Sequence, residues 1–437
     1  MAEIIPFRAL HYDSRRVSGL EKVVTQPYDK ISPAMQARYY GLSPYNLVRI
    51  IRGRPLPADH GQENVYARAA RDFDAWIGQG VLAAEPQPAL YPYHQRYAVP
   101  GGSASSLTRR GFVALCRLEG YAAGVVHRHE ETLAGPKADR LELLKRTRAH
   151  FGQIFLLYSD PEGEVERLLE PGSGGKPWES VEDEYGTLHS VWRAADPGVI
   201  ERVVEAMRPK KLVIADGHHR YETALAYRDW CRAQGLAGER AEYVMATFVR
   251  METEGLTILA THRLVHGLAR FDWEDFLERA RQAFEVEPAD VTNLRQRLAE
   301  AGRERTAIAA YAGAGRAALL RVPPGADLER LLPGVPPGLA RLDVVALHRV
   351  LLERVLGIDR EAVREEKNLR YVREFDAALG EVDRGDAQVA LLMNPTPIEA
   401  VRDNAFAGRV LPQKSTDFYP KLLSGLLIYW LDNPSGI

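Results

Sequence analysis

The stretch at residues 210–234, KKLVIADGHHRYETALAYRDWCRAQ, constrains the fold of this chain more than any other. Its apolar run at residues 212–215 has the character of a buried strand. Asp216 and Gly217 end that run, and an amphipathic helical pattern begins at once. We expect Asp216 to cap this helix, because its carboxylate can accept amide protons of the first turn. The segment therefore predicts a strand, a tight glycine turn and a helix in direct succession.

The predicted turn has the chemistry of an anion site. Gly217 is followed by His218, His219 and Arg220, three side chains that can hold phosphate oxygens. The start of a helix adds backbone amides and the positive end of the helix dipole. An ordinary solvent-exposed turn is the alternative interpretation, since a motif match is a hypothesis. The density of polar residues at one strand-to-helix junction favours a phosphate or nucleotide site.

The composition excludes several classes of protein. The chain has 437 residues, of which 46% are hydrophobic and 27% charged, which is typical of a globular protein with two or three domains. A formal net charge of −2 provides no field that would attract nucleic acid or an acidic membrane. The two cysteines, Cys116 and Cys231, cannot form a disulfide framework, so we expect a cytoplasmic protein. We expect no signal peptide, and no apolar stretch reaches the roughly 20 residues of a membrane span.

Strand and helix patterns alternate in the first part of the chain, which predicts a mixed α/β core around the turn. The clearest further predictions are a strand at 47–51, a hairpin of strands at 90–99 and 110–118, a loop at 161–177 and a helix at 342–356. Near residue 265 the pattern changes to alanine- and arginine-rich helices. We therefore predict a core domain at residues 1–265 and a helix-rich α/β domain at residues 266–437.

A second polar block, HRHEE, occupies residues 127–131. A carboxylate beside imidazoles has the chemistry to deprotonate a hydroxyl or to hold Mg²⁺. A solvated charged turn explains the same residues equally well. A zinc site built from these histidines with His218 and His219 would match no established ligand spacing, so we predict no resident metal.

The segment GRVLPQKST at residues 408–416 has the spacing of a P-loop except at one position. Gln413 replaces the second glycine, which lets the backbone curl around phosphates, so we reject a P-loop. Lys414 and Ser415 can still contact an anion, although a surface loop is an equally good interpretation. Lys421 supplies a further cation shortly after this segment.

A third polar group, Thr261, His262 and Arg263, follows a predicted strand. It is a weaker candidate for a functional site than the segment at 408–416. A cap at the end of the strand is the interpretation that the sequence favours.

Several blocks together resemble the domain-of-unknown-function family numbered ten-fifteen. They are PYD (27–29), SPYNLVRI (43–50), HEETLAGPKADR (129–140), IADGHHRYETAL (214–225), THR (261–263) and PQKSTDFYPKL (412–422). The blocks are long and specific, and the resemblance covers nearly the whole chain. Proteins of that family are bacterial and archaeal and of about this length, and the family name gives no activity.

The DGHHR turn is similar, more distantly, to the phosphate-binding box of the ParB/sulfiredoxin-like superfamily, whose members carry GxHR-type turns at a helix start. That superfamily includes nucleotide-binding partition proteins, sulfiredoxin and a free-serine kinase. In the kinase an HEE-type element upstream of the box supplies the catalytic carboxylate, and here residues 129–131 precede the box in the same order. His218 and His219 replace the catalytic cysteine of sulfiredoxin. The resemblance implies an α/β (α+β) fold, with a mixed-sheet ParB/sulfiredoxin-like core and elaborations.

The activity that this resemblance implies is phosphoryl transfer from a nucleotide, ATP or ADP with Mg²⁺, to a small hydroxylated metabolite such as a free amino acid. Residues 217–220 would hold the nucleotide phosphates, because this reaction depends on positioning and charge neutralisation. Glu130 would accept the hydroxyl proton, His129 would orient it, and Asp216 would help to hold Mg²⁺. Second-tier candidates for substrate contacts are Lys137, Arg140, Lys414 and Ser415.

Two other functions are compatible with the same anion site. One is a ParB-like nucleotide-binding regulator without turnover, and the other is a nucleotide hydrolase. The balanced charge and the lack of a recognition-helix motif argue against a nucleic-acid partner. The expected partner is a small-molecule substrate, with no membrane, and the sequence assigns no oligomeric state.

Overall fold

The structure is a computed structural model that describes residues 1–102, 105–131, 136–236, 238–434 and 436, with the backbone alone at residues 136 and 137. The chain divides into two compact units. The first unit comprises Met1–Arg128, Ala134–Thr257 and Pro420–Ile437, and the second comprises His129–Leu133 and Ile258–Tyr419. The chain passes from the first unit to the second after Thr257, shortly before the boundary predicted at residue 265. Composition gave no sign that residues 129–133 belong to the second unit and residues 420–437 to the first.

Helices and strands alternate through most of the first unit. Its α-helices are α1 (Pro33–Leu42), α2 (Val48–Ile51), α3 (Val65–Gly78), α4 (Pro136–Thr147), α5 (Glu164–Ser173), α6 (Pro197–Met207) and α7 (His218–Ala233). Short 3-10 helices occupy Leu20–Lys22, Tyr28–Lys30, Tyr121–Ala123 and Glu239–Glu242. Its strands are β1 (Ile4–Ile5), β2 (Leu10–Tyr12), β3 (Leu82–Ala84), β4 (Tyr91–Ala98), β5 (Ser106–Arg117), β6 (Val126–His127), β7 (Ala149–His150), β8 (Ile154–Tyr158), β9 (Glu179–Glu182), β10 (Leu188–Val191), β11 (Leu212–Asp216) and β12 (Tyr243–Arg250), and Tyr429–Trp430 pairs with β7.

A large mixed sheet forms the centre of the first unit. Its strands follow the order β6-β11-β8-β12-β5-β4-β10-β9, and β1 also pairs with β5. β11 runs parallel to β6, and β8 runs parallel to β12, while β8 and β11 are antiparallel. The antiparallel pair β4–β5 confirms the predicted hairpin. The predicted fold class, a mixed α/β fold with a mixed sheet, is therefore confirmed.

Apolar residues bury both faces of this sheet. Side chains alternate between the faces along a strand, and in β12 Val244, Ala246 and Phe248 pack in one cluster with residues of α6 and α7. Thr247, which lies between them in the strand, is also buried. The sequence of a strand that is buried on both faces is a nearly continuous apolar run, without the alternation of apolar and polar residues that a half-exposed strand shows. This explains why β11, which leads into the candidate site, was recognisable in the sequence.

Two local predictions for the first unit are wrong. The strand predicted at residues 47–51 is helical as α2, because the side chain of Asn46 accepts a hydrogen bond from the amide of Val48 at 3.0 Å and starts a helical turn. The loop predicted at residues 161–177 contains α5, which buries Val165 and Leu169 one helical turn apart. A short apolar run does not distinguish a strand from a helix, and the proline and glycine residues around α5 concealed it.

The second unit also combines helices with a sheet. Its α-helices are α8 (Trp273–Ala280), α9 (Leu294–Glu304), α10 (Leu328–Leu331), α11 (Pro337–Ala340), α12 (Asp343–Ala346), α13 (Arg360–Arg364), α14 (Phe375–Asp383) and α15 (Ile398–Phe406), and a π-helix spans Leu347–Val355. Its strands are β13 (Thr257–Leu259), β14 (His262–Val265), β15 (Glu285–Pro288), β16 (Ala307–Tyr311), β17 (Ala317–Arg321), β18 (Leu369–Val372), β19 (Val389–Met393) and β20 (Asp417–Tyr419). The main sheet has the order β15-β17-β16-β19-β14-β18. Together α12 and the π-helix confirm the helix predicted at 342–356. In the described part of the chain, no helix has the length and apolar character needed to cross a membrane.

A largely buried carboxyl group gives the second unit a pH-dependent stability. Asp343 accepts hydrogen bonds from the amide of Ala307 at 3.0 Å and from the side chain of Asn394 at 3.3 Å. Burial nevertheless raises its pKa from 3.8 to about 6. Because the folded pKa is the higher one, the protonated carboxyl contributes its stabilisation fully below pH 3.8. That contribution is lost as the pH rises through the folded value.

We expect Asp343→Asn to remove this dependence. Between pH 4 and 7 the free energy of unfolding of the wild type should fall relative to that of the variant, as measured by urea denaturation at several pH values. Asp376→Asn, at a side chain that is 87% exposed, is the matched control and should run parallel to the wild type. Parallel curves for Asp343→Asn and the wild type would show that this carboxyl does not titrate in that range.

Candidate functional site

The turn between β11 and α7 has the geometry of an anion site. Gly217 has a φ of 95°, a left-handed conformation that glycine adopts at little cost. It is the residue that precedes α7, a helix of 16 residues whose first turn contains His218, His219 and Arg220. The first amides of a helix have no partner within the helix, and they carry its positive dipole end. The predicted succession of strand, glycine turn and helix is confirmed.

The capping role predicted for Asp216 is wrong. Gly217 occupies the cap position, and no side chain caps the helix there. The carboxylate of Asp216 instead accepts a hydrogen bond from Nη2 of Arg220 at 2.7 Å, and its other oxygen lies 3.6 Å from Nζ of Lys421. Burial disfavours the ionised carboxylate, but Lys421, Arg220 and Lys30 outweigh it and hold the pKa of Asp216 well below its usual value.

Arg220 is held in place by two acceptors. Besides the bond to Asp216, it donates from Nη1 to the carbonyl oxygen of Gln153, and its side chain is only 14% exposed. A guanidinium held in one orientation loses little further freedom when it binds phosphate. Lys421 and Lys30 act on the same carboxylate as Arg220, so three cations lie near Asp216. The turn is therefore electropositive.

Among the candidate residues at this turn, Lys421 had the weakest support from the sequence. It approaches Asp216 because the backbone around it is anchored in the first unit. Buried Arg109 donates to the carbonyl oxygen of Pro420 at 2.5 Å, and Gln95 donates to that of Lys421 at 2.9 Å. In the sequence Lys421 was visible only as a cation that follows the segment at 408–416 within one of the family-like blocks, far from the turn along the chain.

A pocket beside Arg220 brings three of the family-like blocks together. It is lined by Tyr28, Arg140, Gly152 and Arg220, with apolar residues such as Leu143 completing its wall. The guanidinium carbon of Arg140 lies 4.3 Å from the centre of the Tyr28 ring, and Arg140 donates to the carbonyl oxygen of Ile51 at 2.7 Å. The pocket thus offers two guanidinium groups and an aromatic ring.

Lys137 lies in the first turn of α4, and its side chain is outside the described residues. Its predicted contact with substrate stays a prediction. The neighbouring positions 132–135 of the same block are outside the described part as well.

The HEE element belongs to the second unit, where it fixes the segment at residues 411–416. His129 is 1% exposed, and its Nε2 lies 2.7 Å from the hydroxyl of Thr416. Glu130 accepts a hydrogen bond from the backbone amide of Lys414 at 2.7 Å. Ser415 is buried and donates to the carbonyl oxygen of Pro412 at 2.5 Å. The alternative of a solvated charged turn is therefore wrong for His129 and Glu130, although Arg128 and Glu131 are exposed, and a surface loop does not describe Ser415.

Arg263 has a larger structural role than a cap at the end of a strand. It lies within β14 and is fully buried. Its Nη2 donates to the carbonyl oxygens of Lys414 at 2.9 Å and of Gln413 at 3.2 Å, and it lies 3.3 Å from Nε2 of His348. Burial lowers the pKa of Arg263 to about 10, so it remains charged at neutral pH. The segment with Lys414 and Ser415 is thus anchored by Glu130 and Arg263 together.

The predicted site residues therefore fall into two groups. In the first unit the structure brings together Asp216, Arg220 and Arg140, with Lys421 as an additional member. In the second unit it brings together His129, Glu130, Lys414 and Ser415. The catalytic and binding roles of all these residues stay predictions.

The turn itself provides a direct test of its geometry. A Cβ atom on Gly217 would lie 3.1 Å from Nε and Nη2 of Arg220, in addition to the unfavourable φ. We expect Gly217→Ala to lower the free energy of unfolding by about 1–3 kcal/mol, measured by urea denaturation. Gly235→Ala at the other end of α7 is the control, because that glycine has a φ of 67° but no atom within 4 Å of the added Cβ. An equal decrease in the free energy of unfolding for Gly217→Ala and Gly235→Ala would show that Arg220 does not pack against the turn.

Comparisons with known proteins give one family and several distant structures. The sequence model of the family described as "Protein of unknown function (DUF1015)" matches residues 4–345. No match was found among curated proteins. Among solved structures, a conserved hypothetical protein from Pyrococcus furiosus is 13% identical, with 74% of this chain and 96% of that chain covered and a TM-score of 0.37. A free serine kinase in complex with AMP is 14% identical, with coverage of 72% and 92% and a TM-score of 0.36. SbnI with a C-terminal truncation, from Staphylococcus aureus, is 10% identical, with coverage of 72% and 87% and a TM-score of 0.34.

Proposed function

Because the chain belongs to the DUF1015 family, whose description gives no activity, we propose its function from the site in the first unit. The protein is a phosphotransferase that uses a nucleotide, ATP or ADP with Mg²⁺, to phosphorylate a small hydroxylated metabolite such as a free amino acid. The observation that carries this proposal is the electropositive turn at Gly217, where Arg220 and Lys421 converge on Asp216 at the start of α7.

The turn fits the phosphate groups of a nucleotide. Gly217 has no side chain to obstruct an approaching anion, and the following residues supply the amides of a helix start. Arg220 and Lys421 would neutralise phosphate charge, which is the main demand of phosphoryl transfer. His218 and His219 lie in the first turn of α7, where either ring can donate a further hydrogen bond.

Asp216 is the residue in this turn that would hold Mg²⁺. The neighbouring cations keep it ionised, and a carboxylate oxygen is the ligand type that Mg²⁺ prefers. Within the described residues, no group of three His, Cys, Asp or Glu side chains is arranged as a metal site. The ion would therefore enter with the nucleotide, as Mg²⁺ commonly does with one or two protein carboxylates. It would supply further neutralisation of phosphate charge.

The pocket with Tyr28 and Arg140 is the proposed place for the acceptor molecule. It adjoins Arg220, and Arg140 adds a second cation to its lining, whose Nε and Nη2 also donate to the carboxylate of Asp139. An acceptor with both a carboxylate and a hydroxyl group, such as a hydroxyl-bearing amino acid, suits this lining. The two cations in the lining are the chemical reason for preferring a metabolite with a carboxylate over a neutral sugar.

The assignment of the base to Glu130, oriented by His129, is a separate proposal. It is supported by the order of the HEE element and the DGHHR box in the sequence. Glu130→Gln keeps the acceptor for the amide of Lys414 but removes the basic carboxylate. If Glu130 is the base, turnover should fall by about 100-fold or more while nucleotide affinity is retained.

Phosphorus NMR of the products tests the activity as a whole. The protein would be incubated with ATP or ADP and Mg²⁺, with and without a panel of hydroxylated amino acids. A new phosphate monoester that forms only with the acceptor supports the phosphotransferase. Release of inorganic phosphate without an acceptor would indicate a hydrolase instead, and binding without any product would indicate a nucleotide-binding regulator.

A further inference from the structure

A cavity of about 710 Å³ lies within the second unit, between the end of α9, the loop after β17 and the segments that precede α12 and α15. Its volume is in the range of about 300–1,000 Å³ that is typical of small-molecule sites. Val322, Leu342 and several prolines form apolar parts of the wall, and Asp343 and Asn394 add polar groups. Among the described residues, none lines both this cavity and the pocket beside Arg220.

The carboxyl group of Asp343 has no cation beside it. Asp343 is half-buried and forms no ion pair with any described residue. Burial raises its pKa, hydrogen bonds from Ala307 and Asn394 lower it, and no charged side chain of the described chain shifts it. The exposed arginines of the lining, Arg303 and Arg341, therefore do not neutralise this carboxylate. A partly buried carboxylate without a counter-ion is unfavourable, so the site favours a cation.

The other charged groups of the lining do not change this balance. Arg305 lies 2.8 Å from a carboxylate oxygen of Glu285 and donates to the carbonyl oxygen of Val322 at 3.2 Å, so its charge is already paired. Glu304, in the last turn of α9, is itself negative. The end of α9 also carries the negative end of its helix dipole, which favours a bound cation.

Asp343 and Asn394 together have unused acceptor capacity. Nδ2 of Asn394 donates to the carbonyl oxygen of Leu298 at 3.2 Å and to Oδ2 of Asp343 at 3.3 Å, which fixes the orientation of the amide. Oδ1 of Asn394 is accessible and has no donor among the described residues. Oδ1 of Asp343 accepts from the amide of Ala307 at 3.0 Å. A carboxylate oxygen can accept two hydrogen bonds, so each oxygen of Asp343 can accept one more.

We propose that this cavity binds a protonated primary amine, with its ammonium group on the carboxylate of Asp343 and on Oδ1 of Asn394. An ammonium group supplies the missing positive charge and three N–H donors for these acceptors. The apolar parts of the wall suit the hydrocarbon portion of such a ligand. The inference does not depend on the proposed phosphotransferase activity, because an amine without an acidic group matches neither the anion site at Gly217 nor the two guanidinium groups of the acceptor pocket.

Isothermal titration calorimetry of the full chain at pH 8 tests the proposal. The probes are primary amines without an acidic group: propylamine, ethanolamine, benzylamine and putrescine. We expect saturable binding of at least one of them, and no binding of its fully N-acetylated derivative, which is neutral. Asp343→Asn should raise the Kd about tenfold or more, because it removes a charge-assisted hydrogen bond. Asp376→Asn, at a side chain that is 87% exposed, is the matched control and should leave the Kd unchanged.

The pH dependence of the Kd provides a second readout that requires no substitution. The amine stays protonated between pH 5 and pH 8, whereas the pKa of Asp343 is about 6. Only the ionised carboxylate attracts an ammonium group, and about a tenth of it is ionised at pH 5. The Kd at pH 5 should therefore be about tenfold higher than at pH 8.

The proposal is overturned if no amine binds, if the Kd is the same at pH 5 and pH 8, or if Asp343→Asn binds as tightly as the wild type. Arg220→Ala should leave the Kd unchanged, because Arg220 does not line this cavity. Loss of binding in Arg220→Ala would place the amine in the first unit and would overturn the proposal equally. Should Asp343→Asn fail to fold, the pH dependence of the wild type decides.

Discussion

Arg263→Met should lower the free energy of unfolding by about 3–5 kcal/mol, one of the largest effects expected from a single substitution in this chain. The side chain is fully buried and donates to the carbonyl oxygens of Gln413 and Lys414. Methionine has a similar shape but no donor, so these carbonyls and the ring of His348 would lose their partner. An unpaired buried acceptor costs about 1–3 kcal/mol, and several are created at once.

Urea denaturation of the purified variant measures this cost. Arg270→Met is the matched control, because Arg270 is exposed in the same unit and should change stability by no more than about 0.5 kcal/mol. A cost for Arg263→Met as small as that of the control would mean that the segment at 411–416 does not depend on this guanidinium.

Arg220→Ala should weaken nucleotide binding by about 10- to 150-fold. The estimate corresponds to the loss of a hydrogen bond between charged groups, which is worth about 1.5–3 kcal/mol. The substitution also removes the partner of Asp216 and of the Gln153 carbonyl, so some loss of intrinsic stability is expected. The informative quantity is therefore the increase in Tm that ATP, ADP, CTP or GTP with Mg²⁺ produces in each protein, rather than the Tm itself.

A second arginine on the same helix controls for nonspecific charge effects. Arg232 lies in the last turn of α7, pairs with Glu242 and is 50% exposed. Arg232→Ala should retain the full nucleotide-dependent increase in Tm. If Arg220→Ala retains it too, the phosphates do not bind at the turn.

The sequence predicted the elements of the turn well because they are determined locally. A continuous apolar run, a glycine that must adopt a left-handed conformation and a periodic helix are all visible within residues 210–234. The role of Asp216 was not predictable in the same way. Its carboxylate is taken by Arg220 and by Lys421, which is 205 positions away in the chain, so a tertiary interaction replaced the local cap.

The organisation of the two units was hidden for a related reason. Residues 129–131 lie amid first-unit sequence but pair with Leu411 and the segment after it, through contacts such as the 2.7 Å bond from the Leu411 amide to the carbonyl oxygen of His129. Composition and periodicity report local preferences, and they carry no signal for pairings of this range. The same limit explains Arg263, whose burial follows from the carbonyl groups of a segment 150 positions away.

A crystal structure of the protein with ADP and Mg²⁺ examines the anion site at Gly217 most directly. We expect phosphate oxygens at about 3 Å from the backbone amides of residues 218–220, with Arg220 or Lys421 in contact with the same group. Phosphates bound elsewhere on the protein, or crystals that show no nucleotide after soaking at a saturating concentration, would contradict the proposed function.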